Sequence, residues 1–418
     1  MKEASATMAA ILLGTLPADA AIAEAETELL ARAGAIHERI ITIDTHVDIP
    51  PDFGTEAYDP AQARPPGQQV DLPGMESGGL DAAFFIIFVM QRERTPANYA
   101  RALADAFVKY SAIRKMTDID YPDRIGLALT AADVRRINAE GRRVALIGIE
   151  NGFSIGRNLD LLDVQFGFGA RYLGLLHNGH NDIGDSAVPN LALDSSGAEH
   201  GGLSAFGRAV VRRANELGMM VDISHSSEAT AMDAIEASEA PVIASHSAAR
   251  GAFPHARNLS DEALLAMRDK GGVAQIVAFD SYLRATPPEK TAAMGALYRD
   301  MNLGNAADFA RMPAEQRETY YSRLSEIIRM PPRATVKHLA DHIDYAVGLI
   351  GIDHVGISSD FNGGGGIEGW DNAGETLNVT VELVRRGYSE EEIAKLWGGN
   401  LLRVMEAVEA VAAGSERE

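Results

Sequence analysis

The chain has 418 residues, of which 46% are apolar and 23% charged. That is too long for one small domain, fits one large α/β barrel or two medium domains, and excludes global disorder. Lys plus Arg number 38 against 59 Asp plus Glu, a net charge of -21, so nucleic acid and anionic membrane faces are poor partners. Cysteine is absent, which removes disulfides, thiol chemistry and iron–sulfur clusters and leaves metals only His, Asp, Glu or water as ligands.

Near the start, Lys2 precedes an apolar run over residues 8–16, and Ala18-Asp19-Ala20 has the small-x-small form of a signal peptidase site. The reading is an export signal over 1–20, which places the mature protein in the periplasm or outside the cell. The run is short and Glu3 dilutes the positive start, so the alternative is a frayed helix and a cytoplasmic protein. No later segment offers about 18 uninterrupted apolar residues, and no membrane span is expected.

Eight apolar or β-branched runs follow, at 40–44, 80–90, 144–150, 172–177, 219–225, 242–246, 272–279 and 355–360. They lack polar alternation, as parallel strands covered on both faces do, and helical patterns separate them. Eight such units predict a single-domain α/β fold, a (β/α)8 TIM-type barrel over 21–410, followed by a polar tail at 411–418. After the fourth strand, Phe206, Val210, Ala214 and Leu217 recur on one helix face, with Ser204 as N-cap and Gly218 as stop. Residues 280–334, with Pro287-Pro288 and Pro331-Pro332, are too long for a simple loop and read as a helical excursion after strand seven. The competing architecture is two doubly wound domains split near residue 200. Potential ligands ending strands in both halves favour the barrel.

His46-x-Asp48 closes strand one, and period-two geometry sends both side chains to one side, where they can share a divalent ion. The same spelling at His180-x-Asp182 lies in a Gly- and Asn-rich loop and reads as a solvated turn. Glu150 ends an apolar strand, so it needs a cation or strong donors to stay ionised, and its two oxygens suit it to bridge two ions. His225 and His246 end successive strands, each spelled Ser-His, and Asp360 ends the last. Three His, two Asp and one Glu suffice for two divalent ions, with zinc favoured and manganese or cobalt open. Such a pair activates water and polarises a carbonyl, and Asp360 could take the water proton. The class implied is hydrolysis of an amide, ester or phosphate.

These residues resemble the membrane dipeptidase family of renal dipeptidase-like metallopeptidases. The resemblance spans about residues 43–405 and is carried by Asp44-Thr-His-Val-Asp48, Gly202-Leu-Ser-Ala-Phe-Gly207, Val221-Asp-Ile-Ser-His225, Ala240-Pro-Val-Ile-Ala-Ser-His246, Gly356-Ile-Ser-Ser-Asp-Phe361 and Gly399-Asn-Leu-Leu-Arg403. It implies a zinc-dependent dipeptidase on a (β/α)8 barrel. His46, Asp48 and Glu150 would serve one ion, and Glu150, His225 and His246 the other. Asp360 would be the acid/base beside a metal-bridging hydroxide. His177 would contact substrate and hold the tetrahedral oxygen, and Arg257 would grip the substrate carboxylate, with Arg250 and His255 as rival anchors. A D-residue at the C-terminal position is tolerated in such enzymes, and a homodimer is compatible with the resemblance.

The chain departs from the mammalian relatives in carrying Phe279 where they have a tyrosine, and in lacking their cysteines and lipid-anchor tail. Trp370, in the Gly-rich loop after Asp360, either roofs the pocket or simply packs there. Two rival functions are another binuclear amidohydrolase, acting on a lactam, N-acyl or carbamoyl amino acid, and a non-catalytic metal-binding scaffold.

Overall fold

A computed structural model describes residues 18–190, 192–194, 197–303 and 312–415. The apolar run at 8–16 lies outside them. Helix α1 (Ala18–His37) begins on the small-x-small triplet and packs its far end into the protein through buried Ala33 and Ile36.

Eight parallel strands make a nearly closed barrel. They are β1 (Ile43–Asp48), β2 (Ala82–Phe88), β4 (Arg143–Glu150), β5 (Ala170–Gly174), β6 (Met220–Asp222), β7 (Ile243–Ser247), β8 (Val273–Val277) and β9 (Val355–Ser358), each paired with the next. Closure comes where the Asp48 N–H donates to the Phe361 carbonyl at 2.9 Å. The two-domain alternative is therefore excluded. A ninth strand, β3 (Ile125–Leu127), pairs with the start of β4 outside the ring. Three residues were too short to register as a strand in the sequence.

The strands are buried on both faces, which is why they read as unbroken apolar runs. In β2, Ala82 to Ile87 are all at most 1% exposed. Each fully buried Phe or Ile there contributes roughly 1.5–3 kcal/mol. Register then places the chemistry: Phe88 of β2 lies opposite Glu150 of β4.

The covering helices follow in turn: α2 (Leu72–Gly78), α3 (Pro96–Lys115), α4 (Ala131–Ala139), α5 (Asp160–Gly167), α6 (Ala205–Leu217), α7 (Glu228–Ala237) and α8 (Asp261–Asp269). In α6 the Ser204 hydroxyl accepts from the Gly207 N–H at 2.9 Å and Gly218 stops the helix at φ 77°, as its sequence requires. The excursion after β8 holds α9 (Asp280–Leu283), α10 (Pro288–Asp300) and α11 (Ala314–Ile328), with a small core of Leu297, Met312, Tyr320 and Ile327. Buried Asp280 ties its base down by accepting from the Ala334 N–H and pairing with Lys290. The barrel resumes with α12 (Val336–Ile350), α13 (Leu377–Arg385), α14 (Glu390–Ala394) and α15 (Asn400–Ser415), the last running on into the expected polar tail.

Candidate metal centre

Strand ends converge on the barrel axis, and they bring together residues up to 314 positions apart. His46 and Asp48 project from β1 to the same side, with Nε2 and Oδ2 3.5 Å apart. Glu150, the last residue of β4, presents its two oxygens to different neighbours. Oε2 lies 3.5 Å from His46 Nε2, while Oε1 lies 3.1 Å from His225 Nε2 and 3.5 Å from His246 Nε2. Asp360 Oδ1 is 3.9 Å from His46 Nε2, and His177 Nε2 is 3.8 Å from Glu150 Oε1.

Strand β6 ends at Asp222, earlier than expected, so His225 reaches the centre from a turn. It does so with φ 66°, and Asn151 and Asp360 take the left-handed region just after β4 and β9, at φ 72° and 58°. Such backbone positions are costly for non-glycine residues and concentrate at functional sites.

Each histidine is held by its far nitrogen. Tyr172 Oη donates to the Thr45 carbonyl at 3.2 Å and stands 2.9 Å from His46 Nδ1, so it accepts the Nδ1 proton. Ser245 Oγ donates to Asp222 at 2.6 Å and lies 2.8 Å from His246 Nδ1, accepting in the same way. His225 Nδ1 faces the Asn178 side-chain oxygen at 3.2 Å. The network therefore assigns Nδ1–H to all three and turns three Nε2 lone pairs toward Glu150. Tyr172 can cross the barrel because a Cβ on Gly148 would overlap its ring.

This donor set fits divalent metal ions. His46 Nε2 is buried and has no hydrogen-bond partner, and the Nε2 atoms of His225 and His246 face each other at 2.9 Å. Neither arrangement is satisfied by protein groups alone. Burial, aided by neighbouring positive charge, holds His225 and His246 well below the ordinary imidazole range, which keeps them neutral ligands. Burial alone would raise Glu150, but His46, His177 and His225 more than offset it and hold its carboxyl well below the usual range. Asp360 moves the other way: burial, with Asp48 and Glu150 alongside, pushes it well up against the pull of His46 and Arg257. The two carboxyls of the centre are thus shifted in opposite directions.

On the β7 side, Arg257 is 4% exposed, and its Nη2 donates to the His246 carbonyl at 3.2 Å. Its Nε is buried without a partner. The rival Arg250 is engaged by Glu228 and the Asn258 carbonyl, and His255 stacks on Tyr282 at 4.7 Å. Tyr282 also stacks on Phe279 at 4.2 Å and lies under the Arg257 guanidinium at 5.3 Å, so a phenol stands beside the anchor although Phe279 lacks one.

One expectation is corrected. His180-x-Asp182 is no solvated turn: His180 is 1% exposed, accepts from the Ser186 N–H at 3.0 Å and bonds the Gly197 carbonyl, while Asp182 accepts from Tyr99. It locks the loop that follows β5, whose Ser186 hydroxyl meets the His177 and His225 carbonyls. Of the two readings of Trp370 the packing one holds: it is buried edge-on against Phe361 and Trp397. The sequence did not reveal Tyr172 and the Asp222–Ser245 pair, whose roles depend on register between strands, or Asn178, which meets His225 from the loop after β5. The Asp in Val221-Asp-Ile-Ser-His225 was the available signal, a carboxylate inside an apolar strand.

A nearly closed parallel barrel with imidazoles and carboxylates at its strand ends defines a metallohydrolase of the TIM-barrel class. The profile of the family described as "Membrane dipeptidase (Peptidase family M19)" matches residues 30–418, and the chain belongs to that family. It is a metal-dependent dipeptidase. The chain is 31% identical over 349 residues to dipeptidase aclJ of Aspergillus oryzae, an alignment covering 82% of this chain and 71% of that one. Among solved structures, it is similar to the probable dipeptidase PvdM from Pseudomonas aeruginosa, with TM-score 0.82, 35% identity and coverage of 92% and 100%. Dipeptidase AC, a metallo peptidase, gives TM-score 0.68 at 25% identity, with coverage of 88% and 98%.

Proposed function

We propose that the chain binds two zinc ions, with His46, Asp48 and Glu150 serving one and Glu150, His225 and His246 the other. The observation that carries this is the split of Glu150, one oxygen facing His46 and the other facing His225 and His246. Imidazole with carboxylate favours zinc. Two such ions supply Lewis acidity and a water of lowered pKa.

The protein groups do the remaining work. Arg257 receives the C-terminal carboxylate of the dipeptide on its free donors, and this fixes the scissile carbonyl one residue away, over Glu150. A chain extended beyond that carboxylate has no place to end, which selects dipeptides over proteins. Because the guanidinium grips the carboxylate rather than the side chain, a C-terminal residue of either L or D configuration is accommodated. His177, close to Glu150, donates to the oxygen that gains charge on attack. Asp360 takes the proton of the attacking water and delivers it to the departing amine, a task suited to a carboxyl whose pKa is raised. The homodimer belongs to the same reading, and sedimentation velocity checks it.

The test is release of free amino acids from a panel of L,L and L,D dipeptides with one N-acyl amino acid, using zinc-loaded protein and a chelated control. Metal-dependent cleavage of unblocked dipeptides of both kinds is expected. Cleavage of the N-acyl compound alone would move the assignment to another amidohydrolase.

A further inference from the structure

Among the described residues four Lys and Arg side chains are buried, Lys109, Arg171, Arg257 and Lys290, and two of them are held by several protein acceptors. Lys290 pairs with Asp280 and donates to the Ile328 carbonyl at 2.7 Å. Arg171 donates to the carbonyls of Leu129, Phe166 and Ala170. Two cations lack such an answer among the described residues. One is Arg257, which has no carboxylate within ion-pair distance and only the His246 carbonyl, at 3.2 Å, as a side-chain acceptor. The other is Lys109 of α3, only 8% exposed, with no hydrogen bond and no ion pair within 4 Å.

The position of Lys109 is what gives it a purpose. Its Nζ lies 5.5 Å from the centre of the Phe88 ring, and that ring lies 4.6 Å from the ring of His177. Phe88 is itself the register partner of Glu150. Lys109 therefore stands one aromatic ring away from the centre, behind the end of β2. The acid one turn back on its own helix, Asp105, is exposed and turned to Arg92 at 3.5 Å. In the order β1-β2-β4-β5-β6-β7-β8-β9, the strands β2 and β7 are four places apart in a ring of eight, which is opposite. Arg257 follows β7 and Lys109 follows β2. Arg257 and Lys109 thus follow strands on opposite sides of the barrel.

A dipeptide whose C-terminal carboxylate sits on Arg257, with its scissile carbonyl over Glu150, directs its amino-terminal residue toward β2. We propose that Lys109 is a specificity-determining residue that receives a carboxylate side chain on that residue, which makes Asp- and Glu-initiated dipeptides the preferred substrates. This rests on the dipeptidase reading above. A neutral side chain would leave the ammonium of this largely buried lysine without a partner, whereas a carboxylate gives it a charge-assisted bond. Burial pulls the pKa of Lys109 below the usual lysine range, against Asp48, Glu150 and Asp105, and an incoming carboxylate favours its charged form.

The experiment measures kcat/KM of the zinc-loaded protein for Glu-Ala against Gln-Ala, and Asp-Ala against Asn-Ala, with Ala-Ala as reference. The acidic member of each pair is expected to be favoured at least about tenfold, the size of one charged hydrogen bond. In Lys109→Met that ratio collapses toward one, and in Lys109→Arg it is kept; a purely structural lysine would leave the ratio unmoved. Thermal melting screens the variants, and Lys109→Gln replaces Lys109→Met if the latter does not fold. Equal turnover of acidic and neutral dipeptides by the wild type, or an unchanged ratio in the variant, overturns the proposal alone. Absence of turnover on every dipeptide overturns the dipeptidase reading and this proposal with it.

Discussion

At the metal centre, single atoms outside the ligand set decide which nitrogen of each histidine points inward. Tyr172 Oη, 2.9 Å from His46 Nδ1, is one of these. Replacing Tyr172 with Phe leaves the Nδ1–H buried without an acceptor and frees the ring to turn. We expect Tyr172→Phe to keep its fold and to lose roughly 10–100-fold in zinc affinity, read by competition with a chromophoric chelator. Unchanged affinity would remove Tyr172 from the account. Arg257 gives a second test at this scale. Arg257→Met should lower kcat/KM for dipeptides by about ten- to a hundredfold, the worth of hydrogen bonds between charged groups, mainly through KM. An amidated dipeptide should be poor for wild type and variant alike. The proposed ligand residues stand out in the sequence, since His46, Glu150, His225, His246 and Asp360 each lie at or just past the end of an apolar run. Tyr172 was not, because its reach across the barrel depends on the missing side chain of Gly148 on a neighbouring strand.

Strands and helices were legible wherever burial on two faces produced an unbroken apolar run, and least so where an element was short. The early end of β6 was hidden because Ile223 and Ser224 stay buried after the ladder stops, so composition continues where pairing does not. Left-handed turns at His225 and Asp360 carry no glycine to mark them. Helix α12 makes a prediction of its own through His342. Its Nδ1 accepts from the Ala249 N–H at 3.3 Å, and the ring also bonds the Leu283 backbone, joining the β7 loop to α9. Burial depresses its pKa to about 4, so the folded protein holds it neutral where the unfolded chain, near 6.5, takes up a proton. Stability is then fully present above pH 6.5 and falls as pH drops toward 4, by about 3 kcal/mol from this group. Denaturant titrations at stepped pH should show a shallower slope in His342→Gln across that window. Parallel slopes would contradict the assignment.

For the molecule as a whole, the fold sets Asp48, Glu150 and Asp360 at 3.5, 3.5 and 3.9 Å from His46 Nε2 in a chain already at net -21. Bringing such groups together without cations opposes folding, and cations bound only by the folded state oppose unfolding. Chelation should therefore lower the melting temperature reversibly; zinc at about 100 times its Kd adds roughly 2.7 kcal/mol for each ion bound. A melting curve indifferent to both chelator and zinc would place no ion in the centre. The central claim, that two ions bridged by Glu150 make this barrel a dipeptidase, is tested most directly by titrating chelator-stripped protein with zinc while following dipeptide hydrolysis. The account predicts that turnover rises from near zero and reaches its plateau at two equivalents per chain. Full turnover in the stripped protein, or none with two equivalents bound, would contradict it.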